Sequence, residues 1–314
     1  MSGLLRRMLE RLPMAEPLVR RAAEWQVRRA VHAAGCEVHI DSRAVDVRRG
    51  SQVVRLNPRH LLFAPDVAAH FDAYWTTVES GNDPSLRDFS SPARHFIPAL
   101  GVHLWQSGLM EEVDTILGYL RHAPPRAGET VFDLGSNCGA SVFVFSGAVG
   151  PAGKVVAFEP DPLNRELLKR NVESLALRNV AVRGDAVAGR SGRLRFNSEG
   201  SLGAALSHVV SRAGLAETIE VQALTLADAC AAAGCAPDFI KMDVEGAEEE
   251  VIEGARGWLG EHRPRWVIDT HHRIDGTFTD VAVERSLRAS GYRAWTELVG
   301  GFRTTFAVPE DAAT

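Results

Sequence analysis

The chain holds 314 residues, 45% of them apolar and 24% charged, with a formal net charge of -5. That length can bury one large core or two ordinary ones, and the composition is that of a soluble globular protein. The acidic balance argues against nucleic acid as the main partner, and no apolar run approaches the ~20 residues of a membrane span.

Residues 1 to 30 interleave Arg6, Arg7, Arg11, Arg20, Arg21, Arg28 and Arg29 with apolar residues at helical spacing, broken near Pro13 and Pro17. Glu10, Glu16 and Glu24 dilute the charge, which favours a solvated amphipathic helix over a transit peptide or membrane-surface helix. Over 36 to 56 the period falls to two, with Gly50-Ser51 as a turn, and this predicts a small antiparallel ribbon. Residues 59 to 80 return to helical spacing, with His70, Phe71, Tyr74, Trp75 and Val78 on one side. Short strands are expected near Phe89 and over 97 to 104, then an amphipathic helix over 109 to 120. Residues 1–127 carry no motif of their own and read as a mixed α+β region that faces the substrate as a lid. Trp75, His95, His103 and Trp105 suit such a lid, although an interior aromatic more often serves packing.

Residues 128–314 form the second domain, organised around Val131-Phe132-Asp133-Leu134-Gly135-Ser136-Asn137-Cys138-Gly139. A buried strand ending at Asp133, a tight glycine loop and a helix starting near Cys138 or Gly139 are expected. The next strand, 154 to 159, ends in Glu159, placed to accept hydrogen bonds from two ribose hydroxyls. A dinucleotide site wants G-x-G-x-x-G, and a carboxylate beside its pyrophosphate would repel the anion. Here Asp133 fills the first small position and the glycines are four apart. A carboxylate suits a cationic ligand, and S-adenosylmethionine carries a sulfonium and an ammonium.

Beyond Glu159 strands and helices alternate, which calls for a parallel sheet with helices on both faces. Asp161-Pro162 caps and opens a helix. A third strand, 180 to 183, ends at Gly184-Asp185-Ala186, where Asp185 either accepts from the adenine amine or is a turn aspartate. Residues 193 to 197 and 218 to 223 look like an inserted strand pair with a Gly/Ser-rich loop between. Thr225 then begins a helix, and 238 to 244 is the fourth core strand. It places Asp243 and Glu245 at the carboxyl edge of the sheet, where ligands bind in open α/β folds. Glu248, Glu249 and Glu250 are explained by the dipole of the helix they open. Lys241, among Phe239, Ile240 and Met242, needs a buried partner. The fifth strand, 265 to 269, brings Asp269, Thr270, His271 and His272 to the same edge.

The four cysteines are scattered without a C-x-x-C pair and read as reduced thiols in a cytoplasm. The segments DLGSNCG, AFEPDP and KMDVEGAE, with Ile252-Glu253-Gly254-Ala255 and Arg263-Pro264 after them, resemble those of the FkbM-type methyltransferases over about 128 to 272. The resemblance implies a class I, Rossmann-like S-adenosylmethionine fold, with Asp133, Gly135, Asn137 and Gly139 around the methionine and Glu159 on the ribose. It also implies O-methylation of natural products or sugars. The chain departs from the pattern at Cys138 and at the fifth strand, which ends in Asp269 and His271 where the family usually has glutamate and histidine.

The expected protein is therefore an α/β methyltransferase with a mostly parallel, doubly wound sheet behind an N-terminal mixed region. Asp133, Gly135, Ser136, Asn137, Gly139, Glu159, Asp185 and Ala186 are assigned to the cofactor, and His271, Asp243 and Asp269 to catalysis. His271 is the expected base because an ordinary imidazole titrates near pH 7. Asp243, Asp269 and His271 can alternatively hold magnesium or manganese, but Lys241 on the same face competes, so direct base catalysis is preferred. The alternatives are an N-methyltransferase of the same fold, a nicotinamide oxidoreductase and a non-catalytic nucleoside-binding module. The expected partner is a small-molecule substrate, with a second copy of the chain allowed and no membrane or nucleic acid.

Overall fold

A computed structural model describes residues 17–79, 81–198, 205–206, 217–274 and 276–310. Residues 1 to 16 of the segment expected as an amphipathic helix, and most of the segment expected as a Gly/Ser-rich loop, fall outside the described residues. The rest form two compact units. One runs to Val113 and takes in Asn197, Ser198 and Glu217, and the other holds the remaining described residues from Asp114 onward. This division falls ahead of the 127/128 boundary expected. Residues beyond Asp114 pack on the second unit's sheet: a Cβ on Gly118 would lie 2.0 Å from Val299 Cγ1.

In the first unit the helix Pro17–Ala33 buries Ala23, Val27 and Val31, at i, i+4 and i+8. Strands β1 (Glu37–Ile40), β2 (Val45–Arg49) and β3 (Gln52–Leu56) form the expected antiparallel ribbon. Strand β4 (Leu86–Phe89) adds in parallel to β3. The long helix expected over 59 to 80 is instead three pieces, Pro58–Phe63, Ala64–Ala69 and Phe71–Thr77. Non-helical dihedrals at His60 and His70 break it. The strand expected over 97 to 104 is a hairpin of β5 (Ala93–Ile97) and β6 (Val102–Gln106). Pro98 and the left-handed Gly101 turn the chain between them. The helix expected over 109 to 120 is confined to Val113–Gly118.

The second unit is a seven-stranded sheet. Its strands include β7 (Thr130–Leu134), β8 (Lys154–Phe158) and β9 (Val180–Arg183). Between β9 and the next sheet strand lie β10 (Ala186–Val187), β11 (Gly192–Ser198), β12 (Ala205–Leu206) and β13 (Glu217–Leu224), a separate small sheet. The large sheet continues with β14 (Phe239–Met242) and β15 (Arg265–Asp269). After the short hairpin β16 (Arg273–Ile274) and β17 (Thr277–Phe278), it ends with β18 (Tyr292–Val299) and β19 (Phe302–Pro309). The order is β18-β19-β15-β14-β7-β8-β9, with β19 antiparallel to both its neighbours and the other pairs parallel. Strands β7, β8, β14 and β15 are near-continuous apolar runs because helices cover both faces. Phe132, Leu134, Ile240, Met242, Trp266 and Ile268 fill one core with Val251, Ile252, Val283 and Leu287. The caps follow the sequence. Asp161 accepts from Leu163 N and Asn164 N at the start of Pro162–Ser174, and Thr225 accepts from Asp228 N at the start of Leu226–Ala233.

Candidate active site

Strand register explains which polar residues meet. Lys241 on β14 lies opposite Asp133 on β7, and alternation puts Asp243 on the same face two residues on. Because Met242 pairs with Ile268, Asp269 follows at the corresponding end of β15. Four charged side chains thus share one face at the carboxyl edge, the edge where β-strand C-termini meet ligands in open α/β folds.

The loop between β7 and the helix Ala140–Val149 is held from below. Gly135 N and Ser136 N both donate to Phe158 O, and Asn137 N donates to Glu159 Oε2 at 2.7 Å. Ser136 Oγ closes the turn onto Asp133 O at 2.8 Å. Gly135 has φ +80°, and a Cβ there would lie 1.9 Å from Asp243 O, so only glycine fits. At Gly139, φ +92°, a Cβ would meet Leu168 Cδ1 at 2.4 Å. Asn137 also takes a left-handed conformation and bonds its own chain through Cys138 N at 2.6 Å. Cys138 is buried beneath Asn164.

Glu159 is buried at the end of β8, with Oε1 accepting from Asp161 N at 2.8 Å. Burial, with Asp161 nearby, pushes its carboxyl up to about 8. Asp133 is also fully buried. Its Oδ2 accepts from Ser141 Oγ at 2.6 Å, and Oδ1 lies 3.6 Å from Lys241 Nζ. Burial raises its carboxyl and the Lys241 ammonium opposes this. Lys241 donates to Gly135 O at 2.9 Å and sits 3.8 Å from Asp243 Oδ2. Asp185 takes the turn-aspartate role: Arg183 Nε donates to its Oδ2 at 3.0 Å, and Ala186 opens β10.

At the far side of the edge the two histidines differ. Burial, with the charge of His272 beside it, pushes His271 down to about 3. The expectation of an imidazole titrating near pH 7 is therefore corrected: His271 is neutral at any working pH. Its Nδ1 is buried with no hydrogen-bond partner, and its ring packs on His272 and Phe302. The His272 side chain is nine-tenths buried, and carboxylates surround it. Its Nε2 lies 3.4 Å from Asp243 Oδ1 and 3.7 Å from Glu245 Oε2, and its Nδ1 lies 3.1 Å from Glu248 Oε1. Desolvation opposes charging this ring, but Glu248, Glu245 and Asp243 outweigh it and raise His272 to about 10. Burial raises Asp243, and Lys241, His272 and His271 together bring it below the usual carboxylate range.

Asp269 is drawn away from that group. Tyr119 Oη donates to its Oδ2, and burial with Asp243 nearby pushes its carboxyl up to about 7. The trio Asp243, Asp269 and His271 expected as an alternative metal set is accordingly not the one assembled. Among the described residues the converging ligand atoms are those of Asp243, Glu245 and His272.

The sequence reading gave Glu248 and Tyr119 no part in the site and brought His272 to the edge without a role. Glu248, assigned to the helix dipole, is fully buried on the face of Val251, Ile252 and Ala255. The signal was available, since a glutamate at i of an i, i+3, i+4, i+7 apolar set faces the core. Tyr119 had no signal beyond being an aromatic near a helix end. His272 stood in plain sight beside His271, and only the turn after β15 decides which ring meets the carboxylates.

The methyltransferase FkbM domain model matches residues 133–294. The 2-O-methyltransferase NoeI of Sinorhizobium fredii (strain NBRC 101917 / NGR234) is 28% identical over 194 residues, 57% of this chain and 72% of that protein. Among solved structures, methyltransferase FkbM from Methylobacillus flagellatus KT aligns with a TM-score of 0.45 and 20% identity over 60% of this chain. That alignment spans 46% of the M. flagellatus chain. A SAM dependent methyltransferase from Aquifex aeolicus aligns with a TM-score of 0.37 and 17% identity, covering 62% of this chain and 88% of that one.

Proposed function

The chain belongs to the FkbM methyltransferase family, and from that premise we propose that it moves the methyl group of S-adenosylmethionine to a hydroxyl oxygen of a sugar or other small molecule. Asp133, Gly135, Ser136, Asn137 and Gly139 receive the methionine end, Glu159 the ribose hydroxyls, and His271 the acceptor proton. The observation that carries the assignment is a neutral, buried, unpartnered His271 Nδ1 beside the acidic edge of a sheet whose glycine loop is tied to Glu159. Oxygen as the acceptor is supported by the relative NoeI, a 2-O-methyltransferase.

Bound S-adenosylmethionine would supply an electrophilic methyl group, and holding it against the hydroxyl would supply most of the acceleration. As the new C–O bond forms and the C–S bond breaks, the hydroxyl proton becomes far more acidic than an imidazolium. A base held at about 3 therefore suffices to take it. Asp243 favours that positive charge as it develops.

Calorimetry with S-adenosylhomocysteine tests the cofactor assignment. Binding near -8 kcal/mol, a micromolar Kd, is expected, with none for NADH. Glu159→Ala should weaken it by roughly 1–3 kcal/mol through lost hydrogen bonds. The raised Glu159 carboxyl gives a further signature. In the free chain its stabilising contribution is complete below about 4.5 and lost as pH climbs through about 8. Ribose hydroxyls favour the ionised form, so binding at pH 7 should release a proton, and affinity should rise from pH 6 to 8. Buffer-independent binding enthalpy, or NADH binding in place of S-adenosylhomocysteine, would sink the assignment.

A further inference from the structure

We infer that Asp243, Glu245 and His272 form a binding site for one divalent cation of the magnesium–manganese class, with Glu248 as the carboxylate that orients the histidine. The inference deepens the methyltransferase reading and rests on it for the chemistry the ion would serve. The three ligand atoms lie within 4.8 Å of one another. An octahedral ion with bonds of about 2.1 Å separates neighbouring ligands by about 3 Å and opposite ones by about 4.2 Å. The observed separations of 3.4 Å and 3.7 Å from His272 Nε2 are within a small side-chain adjustment of that geometry.

Acidic residues alone would not make a site. The histidine adds an independent observation. Its side chain is nine-tenths buried, yet Nε2 has no hydrogen-bond partner. Nε2 is aimed between two carboxylates, and Asp243 Oδ1, the oxygen it faces, is likewise buried and unbonded. Lys241 lies toward the other oxygen of Asp243, so it does not occupy the side facing His272. Behind the ring, Glu248 Oε1 stands 3.1 Å from Nδ1 and is itself held by Gly246 N at 2.9 Å. A carboxylate behind a histidine whose other nitrogen faces the ion is the usual way a ligating imidazole is oriented. Two carboxylate oxygens and one imidazole, which releases its Nε2 proton to solvent as the ion takes its place, suit manganese or magnesium. Three protein ligands leave positions for oxygens of a hydroxylated acceptor, whose proton the ion would make easier to remove.

The test uses the full-length chain stripped with EDTA and dialysed, titrated with MnCl2. Free Mn2+ is read by electron paramagnetic resonance, and S-adenosylhomocysteine affinity is measured on the same samples. One Mn2+ per chain is expected. His272→Ala and Glu245→Gln should each weaken uptake at least tenfold while S-adenosylhomocysteine affinity stays within twofold. Glu248→Gln should cost roughly tenfold as an outer-shell partner. If His272→Ala does not fold, Glu245→Gln decides alone. Wild-type chain that binds S-adenosylhomocysteine but takes up no stoichiometric Mn2+ overturns the ion site and leaves the methyltransferase reading standing. Equal uptake by wild type and both ligand variants overturns it as well. Mn2+ uptake without S-adenosylhomocysteine binding supports the ion site and removes the cofactor assignment instead.

Discussion

Lys241→Met is expected to lower the unfolding free energy by about 3–5 kcal/mol, the usual cost of removing one partner from a buried charge group. The lysine is 2% exposed, and Asp133 opposite it is 0% exposed. Methionine fills a similar volume but leaves Asp133 facing Asp243 without a cation, and leaves Gly135 O without its donor. Charge rather than packing is the cause, so Lys241→Met combined with Asp133→Asn should recover part of the loss. Urea unfolding of the two variants measures it. A loss below 1 kcal/mol in the single variant would show that the lysine is dispensable to the fold, and no recovery in the double would show that charge is not the cause.

The second large effect is on turnover. His271→Ala should lower kcat by ~10²–10⁴ while S-adenosylhomocysteine affinity barely changes. The wild-type kcat should also lack a limb near pH 6.5, because His271 is already neutral there and gains a proton only near pH 3. Single-turnover rates with a hydroxylated sugar acceptor, taken from pH 5 to 8, provide the measurement. A tenfold or smaller effect would move the proton-accepting role to another group.

The glycine loop in the proposed cofactor half of the site was readable in the sequence because its constraints are local. A left-handed turn needs Gly135 and Gly139, and an acid one strand over is legible from spacing alone. The inserted strands and the capped helices were readable for the same reason, since Asp161-Pro162 and Thr225 act on their immediate neighbours. The acceptor half depends on distant meetings. Tyr119 reaches Asp269 across 150 residues, and no local pattern announces that pair. Which of His271 and His272 meets the carboxylates turns on the path of the chain just after β15. The titration of His271 depended on burial and on its neighbour's charge, neither of which an isolated imidazole value contains. In the N-terminal unit the error was continuity. Helical spacing persists through His60 and His70, but the backbone does not follow it.

One contact gives the two halves a shared fate. The Cα of Gly135 rests against the carbonyl of Asp243, while Lys241 on the strand that delivers Asp243 holds the carbonyl of Gly135. Asp243 N in turn donates to Leu134 O. The backbone proposed to hold the cofactor and the backbone proposed to offer its carboxylates to the acceptor are therefore joined, and a shift in one strains the contacts of the other. By thermodynamic reciprocity, whatever occupancy of one side does to the affinity of the other is returned in equal measure. The joint also limits how such a protein diversifies. A descendant taking a new acceptor can vary side chains around 243 to 246, but a change in the path of that backbone would be felt first as a loss of cofactor.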